Sequence, residues 1–385
     1  MSAAGAVQMP DEAWIALLGA DPRPWLLASD EPAARWIALT TLLDRPADDP
    51  AVAEARAAVL ADPGMAALVD RIPPWGVALA LPGHDSALFA PNILCLLADM
   101  GVAGDDDPRI ETTLDAMLAG RVAGGRFATF ATSRVTPEGD WSALACDTHA
   151  IVETLIRYGR GDDPRVATAL DLMVADVAAT AQGPAWPCRP WGGFRGPGRK
   201  GDLCPQVTLQ GLRAFAMLPT QRRPAVADGV ARIAVEPWLR RGDQKPYMFG
   251  HGYGFKTVKW PGLWYDVLRT VDTLGRYPSL LRDQAGRRAL AEMAACLVAY
   301  NVHPDGRVTP RRCSRGFERY SFGQKRSPSA FATARVAAAL RRLSPIADEI
   351  AAVDVLALGS SKGGTGSPEP PRPPAAIPLG STAAR

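Results

Sequence analysis

The chain has 385 residues, 47% hydrophobic and 22% charged, a balance that fits a globular protein with a sizeable core and excludes a disordered or fibrous one. Its 43 Lys and Arg against 40 Asp and Glu leave a net charge of +3 with no dense basic block, which gives no electrostatic case for nucleic acid. There is no basic start followed by an apolar run and no stretch long enough to span a bilayer, so the expectation is a cytoplasmic protein without signal peptide or transmembrane segment. Six cysteines in a reducing compartment are thiols or metal ligands rather than a disulfide framework.

In chain order, Trp14, Leu17, Leu18 and then Trp25, Leu26 predict short helices. Ser29 or Asp30 can cap a third, with Ala34, Trp36, Ile37, Leu39 and Leu42 on one face. Asp48-Asp49-Pro50 opens another. Residues 1–73 thus read as an N-terminal helical block of the HEAT type. A loop over 75–83 leads to a strongly apolar helix over 87–100, and Asp106-Asp107-Pro108 opens an amphipathic helix to 118. After a Gly/aromatic loop the cycle recurs: an apolar helix over 146–158, then Asp162-Asp163-Pro164 and an amphipathic helix to 177. A loop over 182–201 precedes helices over 204–217 and 224–235. A further loop over 247–259 precedes helices over 263–274 and 284–300. The last loop, 304–324, precedes a helix over 329–343. Beyond 351 the composition turns to Ser, Gly and Pro, which predicts a disordered tail over 351–385.

The sequence Asp106-Asp107-Pro108-Arg109-Ile110 returns as Asp162-Asp163-Pro164-Arg165-Val166 and more loosely as Asp48-Asp49-Pro50-Ala51-Val52. Aspartate caps orphan N–H groups, and Pro at the first helical position loses nothing by lacking one. The spacing marks a repeat whose unit is loop, buried helix, turn, amphipathic helix, with about five units over 74–350. A helix pair cannot bury both faces alone, so pairs must stack, and inner helices apolar nearly all round need an outer layer.

Gln182-Gly183-Pro184-Ala185-Trp186, placed after an amphipathic helix, resembles the Gln…Gly-x-Trp signature of the prenyltransferase and squalene oxidase repeat. The aromatic/Gly loops ahead of the buried helices resemble that repeat too. Segments such as Lys259-Trp260-Pro261, Asp305-Gly306-Arg307-Val308-Thr309-Pro310 and Phe322-Gly323-Gln324-Lys325 are similar to a group of bacterial members. The resemblance implies an all-α fold, an α/α toroid around a central cavity, as in terpenoid cyclases and protein prenyltransferase β subunits. Squalene-type cyclases protonate a double bond with Asp-x-Asp-Asp, and that motif does not occur here. Asp105-Asp106-Asp107 and Asp162-Asp163 stand where outer helices begin, and capping explains their spacing. The departure speaks against protonation-initiated cyclisation.

In such a ring the loops and N-termini before the inner helices face the cavity mouth. Those positions carry His84, Asp85, Cys146, Asp147, His149, Cys188, Cys204, His251, Lys259, Trp260, Cys313 and Lys325. Protein prenyltransferases bind zinc with Asp, Cys and His, so the resemblance implies a Zn²⁺ site, for which Cys146, His149, Cys188 and Cys204 are the candidate ligands. Asp147 is a substitute ligand or the partner of His149, and these two are the candidate catalytic residues. The alternative is that all are small buried residues with a capping Asp. Cys95 and Cys296 lie inside apolar helices and read as core. Candidate ligand-binding residues are His84, Trp186, Trp191, Tyr253, Phe255, Lys259, Trp260, Trp264 and Tyr265, with Arg312 and Lys325 for an anionic head group. The aromatics serve packing equally well, and the basic loop can equally be a solvated face.

The expected function is to bind, and in its stronger form to transform, an isoprenoid-like or other apolar ligand in the cavity. Two further readings stand beside it: a non-catalytic helical-repeat module that engages a protein partner, and a zinc-dependent prenyl or alkyl transferase.

Overall fold

The computed structural model describes residues 12–79, 81–132, 137–188, 201–242 and 252–358. The expected tail falls mostly on 359–385, outside the described residues. The opening helices are α1 (Ala13–Leu18), α2 (Arg23–Leu27), α3 (Pro32–Ile37), α4 (Pro50–Ala61) and α5 (Pro63–Val69). A π-helical turn, Ala38–Leu42, extends α3. Then come α6 (Ala90–Asp99), α7 (Pro108–Ala119), α8 (Ala145–Arg157), α9 (Pro164–Ala175), α10 (Pro205–Met217), α11 (Ala225–Ala234) and α12 (Glu236–Leu239). The chain ends with α13 (Tyr253–Lys256), α14 (Val267–Leu274), α15 (Pro278–Arg282), α16 (Gln284–Asn301), α17 (Ala330–Arg341) and α18 (Ala347–Ala351).

The repeated Asp-Asp-Pro works as a helix start. Asp49, Asp107 and Asp163 each accept a bond from the backbone N–H two residues on, opening α4, α7 and α9 with Pro in the first turn. Arg109 and Arg165 fold back onto their caps with two side-chain nitrogens each, and Asp106 accepts from the Ala103 N–H and from Arg56. These carboxylates are therefore occupied in structure.

α6, α8, α10, α14 and α17 are buried along nearly their whole length, and α7, α9, α11 and α16 bury one face against them. α6 packs on α8, α8 on α10, α10 on α14, α14 on α17, and α17 on α3. The opening block thus supplies a further inner helix, with α4 as its outer mate. Gly101, just after α6, has φ +94° and lies flat against the Trp36 ring of α3, where a Cβ would come within 2.6 Å of the indole. That contact closes an all-α toroid. α1 and α18, from opposite ends of the chain, cover α17 and α16.

Short two-stranded ribbons brace the loops that enter the inner helices. β1 (Thr129–Ala131) pairs antiparallel with β2 (Asp140–Ser142), and β3 (Ala178–Thr180) with β4 (Gly183–Ala185). β5 (Lys259–Trp260) pairs in parallel with β6 (Arg312–Cys313). The Gln182…Trp186 signature works here: Gln182 accepts from Leu203 N–H at 2.9 Å and donates to Asp202 at 3.0 Å, while Trp186 donates to the Met173 carbonyl of α9 at 2.8 Å.

At the opposite end of the inner helices a circuit of ion pairs runs around the ring. Arg213 of α10 bonds Glu153 of α8 at 2.9 Å and Asp272 of α14 at 2.8 Å. Arg342, capping α17, bonds Asp272 at 2.7 Å. Arg335 of α17 and Arg157 of α8 both bond Asp99 of α6. Arg269 of α14 reaches across to Gln210 at 2.8 Å and Glu153 at 3.4 Å. Burial alone would raise the Glu153 and Asp272 carboxyls, but the surrounding guanidiniums hold both below the usual range.

Glu153→Leu leaves Arg213 with Asp272 alone and Arg269 buried without its carboxylate. The expected loss is about 3–5 kcal/mol in urea unfolding. Glu111→Gln, which breaks the partly exposed pair with Arg160 on the outer layer, is expected to cost no more than about 1 kcal/mol.

Candidate functional site

The loop ends of the inner helices gather the chemistry-bearing side chains. A turn before α6 carries His84, and Asn92 holds that turn by donating to the His84 carbonyl at 3.3 Å and the Ser86 carbonyl at 2.8 Å. Cys146 and Asp147 occupy the first turn of α8, where helix N-terminal N–H groups favour negative side chains. His84 Nδ1 lies 2.9 Å from Asp147 Oδ1 and 3.2 Å from Cys146 Sγ. Thr129 of β1 donates to Asp147 Oδ2 at 2.6 Å, so both carboxylate oxygens are held. The candidate ligand atoms of His84, Cys146 and Asp147 all lie within 4.8 Å of one another. Trp264 stacks over the imidazole, with ring centroids 6.3 Å apart and planes 18° apart.

Cys188 lies near enough to act electrostatically on His84 and Cys146, and Cys204 on the same ribbon is its neighbour. They follow the two residues of an antiparallel bridge, Pro187 and Leu203. Cys204 is also the N-cap position of α10. Burial works against a charged His84, but the hydrogen bond and charge of Asp147 outweigh it and raise its pKa. Burial, then Asp147, then Cys188 push the Cys146 thiol well up, so Cys146 unaided is no thiolate nucleophile. The hydrogen bond from Cys204 brings Cys188 down to about 7 against its own burial. A thiol, an imidazole and a carboxylate within 4.8 Å of one another form a donor set that a divalent cation such as Zn²⁺ fits.

His149, expected among the ligands and catalytic residues, sits apart from this group. It lies one turn further along α8, buried, with Nδ1 3.0 Å from the Val207 carbonyl and its ring edge-on to Trp186 at 5.2 Å. Gly211 of α10 makes room for it, since a Cβ there would stand 2.9 Å from Nδ1. Burial lowers its pKa to about 4, and the imidazole is neutral. His84, expected as a ligand-binding residue, takes the position beside Cys146.

The aromatic candidates divide. Trp264 joins the site, and Tyr265 packs against it at 4.9 Å. Trp186 is a core pillar between His149 and Phe215, Phe255 packs on Trp238, and Trp260 is buried in β5. Tyr253 is 48% exposed and meets Tyr300 edge-on. Arg312 spends its guanidinium on the Gly254 and Thr257 carbonyls, while Lys259 and Lys325 point to solvent. Trp191 and His251 lie outside the described residues. The pocket beside the cluster is walled instead by Trp75, Phe89, Phe130, Trp141 and Leu144, with His84, Asp85 and Asp147 in its lining, and its volume is about 340 Å³. A more open groove of about 720 Å³ lies between the opening helices and the last loop. Two of its carboxylates are structural: Glu31 accepts from Ser321 Oγ at 2.8 Å and the Phe331 N–H at 2.9 Å, capping α17, and Asp62 caps α5.

No family model and no curated protein matches the chain. Among solved structures it is similar to the type II terpene cyclase MstE from Scytonema in its apo form, at 17% identity and TM-score 0.40, covering 88% of this chain and 98% of that one. A variant of that cyclase in complex with geranylgeranyl dihydroxybenzoate, its substrate, matches at 15% identity and TM-score 0.40, with 88% and 97% covered. A likeness of this size carries no argument, and the toroid stands on its own helix packing and ion-pair circuit. No helix among the described residues is long and apolar enough to cross a membrane.

The neutral, buried His149 makes a pH prediction. Its folded pKa, about 4, lies below the ordinary 6.5, so the unfolded chain binds the extra proton between those values. Its contribution to stability is complete above pH 6.5 and falls as pH drops to about 4, by roughly 3 kcal/mol in all. Urea melts across that window should show the slope in the wild type and a shallower one in His149→Gln.

Proposed function

We propose that the protein binds an isoprenoid-like or other apolar small molecule in the aromatic pocket at the loop end of the ring, and that Cys146, Cys188, Cys204 and His84 hold a zinc ion beside it. The observation that carries this reading is the continuity of pocket and cluster: His84 and Asp147 belong both to the pocket lining and to the His–Cys–Asp group. Aromatic walls with a few convergent polar groups are the usual make-up of a small-molecule site. Away from the loop end, Glu153, Gln210, Arg213 and Arg269 are buried and bonded to one another, which leaves the loop end as the ligand's place.

A zinc ion held there by His84, Cys146, Cys188 and Cys204 would supply positive charge that favours thiolates and would polarise a donor atom of the ligand. The chain's own residues do the rest. Asp147 fixes the His84 ring and is itself fixed by Thr129. Trp264 covers one face of the imidazole and limits access of water. The reading is therefore a zinc-dependent transferase acting on an apolar substrate.

Elemental analysis of the purified protein should give one zinc per chain, lost in Cys146→Ser and His84→Ala. A fluorescent farnesyl-chain analogue should bind with energy transfer from Trp75 and Trp141. Trp141→Ala should weaken that binding about tenfold, roughly 1.4 kcal/mol. Folded protein that takes up neither zinc nor the probe would overturn this reading and leave the protein-interaction module in its place.

A further inference from the structure

We propose that the ion-paired end of the ring binds a multivalent oxyanion such as phosphate, held by the guanidiniums of Arg276 and Arg342 just past the C-terminal ends of α14 and α17. This end lies away from His84 and Cys146, and its anion site stands whether or not zinc or an apolar ligand occupies the other.

The charges of the circuit do not balance. Six guanidiniums, those of Arg157, Arg213, Arg269, Arg276, Arg335 and Arg342, act on three carboxylates, Asp99, Glu153 and Asp272. Arginine keeps its proton at neutral pH, so the surplus stays positive. Charge drawn out of water without a partner is costly, and a counter-anion relieves that cost. The crowding is greatest at Asp272. Arg213 donates to its Oδ2 at 2.8 Å, while Arg342 and Arg276 share its Oδ1 at 2.7 and 3.4 Å. Asp99 in turn is shared by Arg157 and Arg335. The two groups lie within electrostatic reach, since Arg335 acts on Asp272 and Arg213 on Asp99.

Arg276 and Arg342 are the members that solvent reaches. Their side chains are 25% and 27% exposed, against 3% for Arg213 and 4% for Arg269. Arg276 makes the longest of the three bonds to Asp272, and its Nε has no hydrogen-bond partner. Burial, with Arg342, Arg213 and Arg157 beside it and only Asp272 in opposition, lowers Arg276 to about 10, still charged at neutral pH. The helix-end carbonyls that repel an anion are already covered. Arg223 donates to the Arg276 carbonyl at 2.9 Å and the Ala216 carbonyl at 3.3 Å, and Arg342 donates to the Ala338 carbonyl at 2.8 Å. Arg223 brings one more positive charge to this end, and its Nε is also unpartnered. An oxyanion takes paired N–H bonds from planar guanidiniums and screens Arg276 from Arg342. A surplus of several charges favours a multivalent anion over chloride.

The test is isothermal titration of the full chain with inorganic phosphate at constant ionic strength, with chloride as the balancing salt. Saturable binding is expected, together with a melting temperature higher in phosphate than in chloride. Arg276→Gln and Arg342→Gln each leave Asp272 with two guanidiniums, so both should fold and should bind phosphate about tenfold more weakly. Arg288→Gln, which removes an exposed charge of α16, should bind as the wild type does. A further arm needs no variant to fold. In the wild type, phosphate should protect Arg276 and Arg342 from phenylglyoxal, read by peptide mass spectrometry, and leave Arg288 reactive. Three results would each sink the proposal: no binding beyond that of chloride, affinity unchanged in both Arg276→Gln and Arg342→Gln, or affinity lost equally in Arg288→Gln. Protection that spares Arg276 and Arg342 would do the same.

Discussion

Glu153 lies in the middle of the inner layer with no exposure, and arginines from two neighbouring helices reach it. A carboxylate so placed survives only because its partners come with it, and they in turn bring Asp272 and Asp99. The result is a closed circuit through α8, α10, α14, α17 and α6. Such pairs give little net stability over a well-packed apolar core, yet losing one partner is costly. Their effect here is geometric. Each of these five helices has its rotation and depth fixed relative to two others, so the loops at the far ends meet in one arrangement.

The circuit holds more guanidiniums than carboxylates. Arg157, Arg213, Arg269, Arg276, Arg335 and Arg342 surround Asp99, Glu153 and Asp272. All but Arg269 and Arg335 sit in the C-terminal halves of inner helices or just beyond them, where unpaired carbonyls carry partial negative charge. The same polarity governs the other end. Cys146, Asp147 and Cys204 stand at the N-termini of α8 and α10, where N–H groups favour thiolate and carboxylate. The toroid therefore has a basic, ion-paired end and a thiol-bearing end, set by running its inner helices in one direction.

Between these ends the apolar residues divide by loop geometry rather than by type. Trp186 and Trp264 both follow glycine-rich stretches and read alike in the sequence. Trp186 turns inward onto Met173 and Phe215, whereas Trp264 turns toward His84. The pocket takes its walls from Phe130 and Trp141, which face each other across the β1–β2 ribbon. A ribbon of three residues per strand is too short to show in periodicity, so its aromatics gave no signal as ligand-lining residues.

What the sequence determined by itself is local. Asp-Asp-Pro starts α4, α7 and α9 because a cap needs only the N–H two residues on, and the apolar run through α6 marks a buried helix because burial leaves little polar face. The helix pairs and their stacking follow from those two facts. Only the tertiary structure decided which side chains meet. Cys146-x-x-His149 is a plausible ligand spacing along one helix, but one turn of α8 carries His149 past the loop end and under the Val207 carbonyl of α10. His84 arrives from 62 residues away to contact Cys146, and Arg213 pairs with acids about as far along the chain on either side. Spacing along a chain records what one helix can present; it holds no record of what the neighbouring helix brings to the same point.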